Sequence, residues 1–229
     1  MTKRWALLGA LMLFSHVVFA GDVANFINLG FSPDAKYFLF GEYGVNDNSN
    51  PYADIFGVNV SRNTFVPDGV ESKTYSSEAG VGQDGMGALF TLFADYVPIS
   101  KRYKIDHMLS GRDLYLLVNG EQPKPRLDFR DFVSNDQYIV TLNQFTYGSG
   151  QSVSSSFSID LTIHSSKGTN LHYTVGLPNY HRPGVENYRI RKIILAPDKR
   201  SLVFIIEKHV RDKSGINVRF MVETVRTDL

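Results

Sequence analysis

The chain has 229 residues, with 24 Lys and Arg against 23 Asp and Glu, and no Cys. The missing thiol excludes disulfides, thiolate metal sites, a cysteine nucleophile and an acylated cysteine at a lipoprotein cleavage point. A charge balance this close to neutral gives no support to a nucleic-acid partner or to a polybasic membrane patch.

Residues 1–20 have the layout of a secretory signal peptide. Lys3 and Arg4 form a positive n-region, residues 5–14 and 17–19 form a short apolar h-region, and Val18-Phe19-Ala20 precedes Gly21. Ser15 and His16 interrupt the apolar run, and no other stretch holds the ~18 apolar residues that a membrane-spanning helix needs. The expectation is an exported protein, periplasmic or secreted, cleaved near Ala20 and without a transmembrane segment after cleavage. Residues 21–229 suffice for a single domain with a sizeable core. Sixteen Phe and twelve Tyr, together with abundant Val, Ile and Thr, favour strands over helices.

A turn followed by a strong strand, a polar loop and a second strand recurs along the rest of the chain. The first copy runs from Phe31-Ser32-Pro33-Asp34-Ala35-Lys36 into Tyr37-Phe38-Leu39-Phe40-Gly41-Glu42, then through a loop at 45–53 into a strand at 54–60. Pro sets φ for the turn and Asp bonds the backbone beyond it. The pattern then breaks: Met86, Leu89, Phe90, Leu92, Phe93, Tyr96 and Val97 recur at helical spacing after Asp84, and Pro98 follows. This predicts a helical insertion over about 84–97, its apolar stripe directed at the core. Gly111-Arg112-Asp113 before 114–118 reads as a shortened copy. A looser one starts at 133–137, enters a strand at 138–142, and returns through Ser156-Phe157-Ser158-Ile159-Asp160-Leu161-Thr162-Ile163, whose strict alternation predicts one buried face. The last copy, Leu195-Ala196-Pro197-Asp198-Lys199-Arg200, leads into 201–207 and back along 217–225.

The units at 31–40 and 195–204 resemble the repeat of TolB-type and WD40-like β-propellers, in which a Ser-Pro-Asp turn precedes an apolar strand. The resemblance implies a mainly β, propeller-like arrangement of antiparallel sheets with one helix. Turns near Pro33, Asp113, Asp136 and Pro197 are unevenly spaced against the ~40–45 residues of a blade, so the propeller is expected to be partial or distorted, with a β-sandwich as the alternative. Phe129-Arg130-Asp131-Phe132, Ser155-Ser156-Phe157, Arg182-Pro183-Gly184-Val185, Tyr188-Arg189-Ile190 and Met221-Val222-Glu223-Thr224 also resemble a family of predicted secreted bacterial proteins of unknown function (DUF2259), over nearly all of the chain beyond residue 20. That resemblance implies export and carries no activity with it.

No Gly-x-Ser-x-Gly elbow, His-Glu-x-x-His pair, phosphate-binding loop or dinucleotide fingerprint occurs, and no cofactor is implied. His107, His164, His172, His181 and His209 form no close pair at metal-ligand spacing. Asn46-Asp47-Asn48-Ser49-Asn50 has oxygen ligands at alternate positions but lacks the Gly and distal Glu of a calcium loop, and it reads as a hairpin loop. Asp128, Asp131 and Glu186 are acids that separate strands could bring together. The segment from Asn179 to Tyr188 concentrates aromatic and charged groups in a loop, the usual place for recognition residues. Tyr180, His181, Arg182, Glu186 and Tyr188, with Arg130 and Asp131, are therefore the candidate binding residues. The competing expectation is that Arg182 and Glu186 simply satisfy each other across the turn. Taken together, the residues point to a binding or scaffold module with an envelope or secreted protein partner. The alternative is a periplasmic hydrolase or glycan-active enzyme drawing carboxylates from separate strands.

Export by a bacterial host is expected to yield a product beginning at Gly21. Intact-mass measurement checks this, and a product that retains residues 5–14 would remove the basis for the cleavage site.

Overall fold

The computed structural model describes residues 21–80, 82–213 and 215–229, so the expected signal segment at 1–20 lies outside the described residues. β1 (Asn25–Phe31), β2 (Tyr37–Val45), β3 (Pro51–Asn59) and β4 (Thr64–Thr74) form a first antiparallel sheet in chain order. α1 (Met86–Arg102) and β5 (Arg112–Leu116) follow. A second meander contains β6 (Arg126–Arg130), β7 (Gln137–Tyr147), β8 (Ser154–His164) and β9 (Asn170–Val175), and the two-residue β10 (Arg182–Pro183) also pairs with β8. β11 (Val185–Leu195), β12 (Ser201–Arg211) and β13 (Ile216–Arg226) join β5 in a third sheet of order β13-β12-β11-β5. The protein is mainly β, built from three antiparallel sheets and one helix.

The two Pro-Asp turns close in the same way. The N–H of Ala35 donates to the Ser32 carbonyl and that of Lys199 to the Ala196 carbonyl, while the N–H groups of Ser32 and Ala196 reach the carbonyls of Tyr37 and Ser201. Asp34 Oδ1 accepts the Lys36 N–H, and Asp198 Oδ1 accepts that of Arg200. Ala35 and Lys199 sit at φ 54° and 58°, a left-handed position each turn must fill. In the middle copy Asn135 is the left-handed residue, and its N–H bonds to the Asp131 carbonyl, four residues back instead of three.

The third sheet lies between the other two. Leu202, Phe204 and Ile206 of β12 pack with Tyr138, Val140, Phe157 and Ile159 of the second sheet, whereas Val203 and Ile205 pack with Phe38, Phe40 and Val58 of the first. A strand buried on both faces reads as an uninterrupted apolar run, which is why residues 202–206 show no alternation. Leu39, Tyr43, Ala53 and Ile55, on the far face of the first sheet, cover Ala88, Leu89, Leu92 and Tyr96 of α1. The layers thus run helix, first sheet, third sheet, second sheet.

Two expectations need correction. The helix does not stop before Pro98 but continues through it to Arg102. Proline removes one intrahelical bond, and the next turn is anchored from outside: Ser100 is buried, the Tyr103 hydroxyl bonds the Pro67 carbonyl, and Arg102 pairs with Asp68 at 2.9 Å. The polar side of β8 is also less open than its alternation predicts, since Ser156 and Ser158 are buried.

The facing of β8 makes a direct test. Ile159→Asp places an unpaired charge in the core and is expected to cost several kcal/mol, whereas Thr162→Asp, on the outer face, costs under about 1 kcal/mol. Equal destabilisation of the two variants in urea melts would show the facing to be wrong.

Candidate functional site

The residues singled out from the sequence fall at opposite ends of β7, a strand about 34 Å long at ~3.4 Å per residue. Arg130 and Asp131 lie beside its first residue, Gln137, which pairs with Arg130. The other five gather near Tyr147: His181 packs at a tilt against the Tyr147 ring, Thr146 bonds the Glu186 carbonyl, and the Tyr188 N–H bonds the Gln144 side chain.

At the Tyr147 end Arg182 is drawn inward. β10 pairs it with Ser155, and its guanidinium lies 5.0 Å from the Phe157 ring, 5.0 Å from Tyr180 and 5.8 Å from Tyr188. Such stacking is attractive for a partly desolvated cation. Its ion-pair partner is Glu223, at 3.7 Å, and its Nη1 is buried without a hydrogen bond. Glu186 pairs with Arg211 instead, so Arg182 and Glu186 do not satisfy each other. The cause is Gly184, at φ 75°, where the chain leaves the second sheet for the third. The Gly184 N–H donates to Val153 and its carbonyl accepts from Arg211, so the residues on either side are committed to different sheets. Tyr188 is a core residue, its hydroxyl on the Ser155 carbonyl at 3.1 Å. The exposed surface here consists of Tyr180, His181, Tyr147 and Phe145, the last two on one side of β7. Tyr147 and His181 stand 4.3 Å apart.

Buried charges back this end and run along β13, the edge strand of the third sheet. Three of its outward amides find side-chain or backbone acceptors: Val218 donates to the Asp22 carbonyl, Phe220 to Glu42, and Thr224 to Asn63 Oδ1. Burial pushes the Glu42 carboxyl up to about 7, against the opposing pull of the Phe220 N–H. Burial likewise raises Glu223, which accepts a bond from the Asn63 amide, and lowers Lys208. Arg219 pairs with Asp22 and lies 4.8 Å over the Tyr52 ring. Glu42 and Glu223 escaped the sequence reading, although a lone acid ending the apolar run 37–41 was a usable signal.

At the far end Arg112 holds Asp131 bidentately at 2.7 and 2.6 Å. Asp131 also accepts the Val133 N–H and the Ser134 hydroxyl, and these bonds, the Arg112 pair foremost, keep its carboxyl well below the usual range. Beside the pair is a cavity of about 620 Å³ whose walls include Tyr138, Leu195 and Pro197. Nothing in the sequence marked this cavity, because its walls come from turns of two sheets. Asp128 accepts the Gln137 amide, Asp131 is held by Arg112, and Glu186 lies at the other end, so these three acids are not brought together. His164 and His172 are occupied by Asn170 and the Thr162 hydroxyl. Asn46 Oδ1 accepts the N–H groups of Asn48 and Asn50, turning the Asn-rich loop back on itself.

A family model described as predicted secreted protein (DUF2259) matches residues 39–226, and the chain belongs to that family. No curated protein and no solved structure matches it. Among the described residues no helix is long and apolar enough to cross a membrane.

The raised Glu42 carboxyl has a pH signature. A folded value near 7 against 4.5 unfolded means that the stability tied to its proton is complete below pH 4.5 and lost as the pH rises through 7. Glu42→Gln keeps an acceptor for the Phe220 N–H and removes the titration. Its unfolding free energy relative to the parent is expected to rise by up to ~3 kcal/mol between pH 4.5 and 8. Urea melts at the two pH values check this, and a constant difference would mean that Glu42 does not titrate in this window.

Proposed function

We propose that this member of a secreted family acts as a non-catalytic binding or scaffold module of the cell envelope or exterior, and that its recognition surface is the aromatic end of the second sheet. The observation that carries the reading is that exposed rings there are pinned from behind. Tyr180 is 58 % exposed yet rests on the Arg182 guanidinium, which is itself set against Phe157 and Tyr188, and His181 packs against the Tyr147 ring. Rings already ordered lose little conformational freedom on binding, and Tyr anchors of this kind dominate protein interfaces. An extended segment of an envelope or secreted protein fits such a surface, and no cofactor or nucleic acid enters the reading.

Binding is favoured over hydrolysis by where the perturbed acids sit. An enzyme of the alternative class needs a raised carboxyl in a cleft. Glu42 and Glu223 are raised, but they bond to the Phe220 amide and the Asn63 side chain, and neither lines the cavity beside Asp131. The same reading takes the three meanders as blade-like units of an incomplete propeller. Its support is the shared geometry of the Ser32 and Ala196 turns, which presents loops at both ends of the sheets.

The test is capture from a bacterial envelope extract with the processed chain as bait, followed by titration of the recovered partner. A Tyr147→Ala/Tyr180→Ala variant is expected to lose affinity about tenfold or more, the scale of two interface anchors, with its melting temperature unchanged. Undiminished affinity in that variant would overturn the assignment of the surface.

A further inference from the structure

We propose that the opposite end of the molecule docks on an anionic lipid surface, with Phe132 and Val133 entering the headgroup layer and the surrounding cations contacting it. Phe132 is 96 % exposed and Val133 78 %. They are not loose. Asp131, clamped by Arg112, accepts the Val133 N–H and the Ser134 hydroxyl, and its own N–H and carbonyl bond to Asp136 and Asn135, so the tip between β6 and β7 is a stiff pedestal that holds both side chains outward.

Around the tip exposed cations outnumber exposed acids. Arg130, two residues before Phe132, is exposed, as are Lys167, Lys199 and Arg200, which line the same cavity as Val133. Lys167, Lys199 and Arg200 have no ion-pair partner among the described residues. Several acids of this end are engaged by the turns: Asp131 and Asp136 are buried, Asp136 accepting the Ser166 N–H, and Asp198 accepts the N–H groups of Arg200 and Ser201. Asp128 and Asp228 are exposed, Asp128 accepting the Gln137 amide and Asp228 the Tyr173 hydroxyl. The near-neutral chain therefore shows a positive rim around an apolar tip, a local arrangement that net charge does not reveal. An apolar protrusion ringed by cations matches a lipid headgroup layer, which is anionic at its surface and apolar just beneath. An acidic protein surface offers the charge but no layer into which a protruding ring can sink. Docking here leaves the aromatic end free, since it lies the length of β7 away.

Trp5, the sole tryptophan of the sequence, lies in the segment expected to be removed, so Phe132→Trp in the processed chain carries its one indole at the tip. The experiment is co-sedimentation of the processed chain, residues 21–229, with vesicles of phosphatidylcholine alone and of phosphatidylcholine with phosphatidylglycerol, at low and high salt. The parent chain is expected to sediment with the anionic vesicles only and to be released by salt, and the indole at position 132 to shift its emission to the blue on binding. Phe132→Asp and Lys199→Glu/Arg200→Glu are each expected to lower the bound fraction about tenfold without a change in melting temperature. Tyr147→Ala/Tyr180→Ala is expected to bind vesicles as the parent does, which keeps this test separate from that of the aromatic surface. Parent chain left in the supernatant at low salt, full binding by Phe132→Asp, or binding without a blue shift, as contact with any soluble polyanion would give, each overturns the proposal.

Discussion

Between Ser201 and Arg211 the chain buries both faces of a single strand, with Leu202, Phe204 and Ile206 directed to one neighbouring sheet and Val203 and Ile205 to the other. Successive side chains of a strand point to opposite sides, so a slip of one residue exchanges the two sets and ruins both interfaces at once. That double constraint sets the register of β11 and β13, which pair with β12 along nearly its whole length. Through them it places the first sheet, the helix behind it and the second sheet. The ends of the layered stack, where loops gather, are positioned only because its middle strand cannot move.

A sheet in the middle of a stack still has edges, and this one is finished with charge. β13 meets Asp22, Glu42 and Asn63 instead of another full strand, an arrangement that shields it from edge-to-edge pairing. The cost is that Glu42 and Glu223 are buried and Lys208 half-buried, and their proton affinities shift accordingly. Perturbed acids of this sort often mark active sites. Here their hydrogen bonds account for them as structural groups, and chemistry inferred from perturbation alone would have been misplaced.

Strand positions were legible because strands and turns are local. The Pro-Asp turns and the apolar runs at 37–40 and 202–206 each describe their own element and form as read, and the alternation at 156–163 marks its strand and its core face, though not the openness of its polar face. The helix was legible at its start and not at its end, because tertiary contacts of Ser100, Arg102 and Tyr103 carry it past Pro98. The candidate site was legible only in part. Tyr180 and His181 are on the surface, but Tyr188 is in the core and Arg182 faces Glu223, a partner 41 positions away that no local pattern indicates.

By itself the sequence determined the mainly β class, the hairpins and the concentration of aromatic groups at 179–188, since these follow from residue periodicity and turn chemistry over short spans. Which charges meet was decided by tertiary structure alone. Asp131 could have been read as free to bind, yet Arg112 holds it, and the cations near Phe132 come from turns of two sheets. Electrostatic pairing depends on distance in space, and a sheet stack joins residues whose separation along the chain bears no relation to that distance.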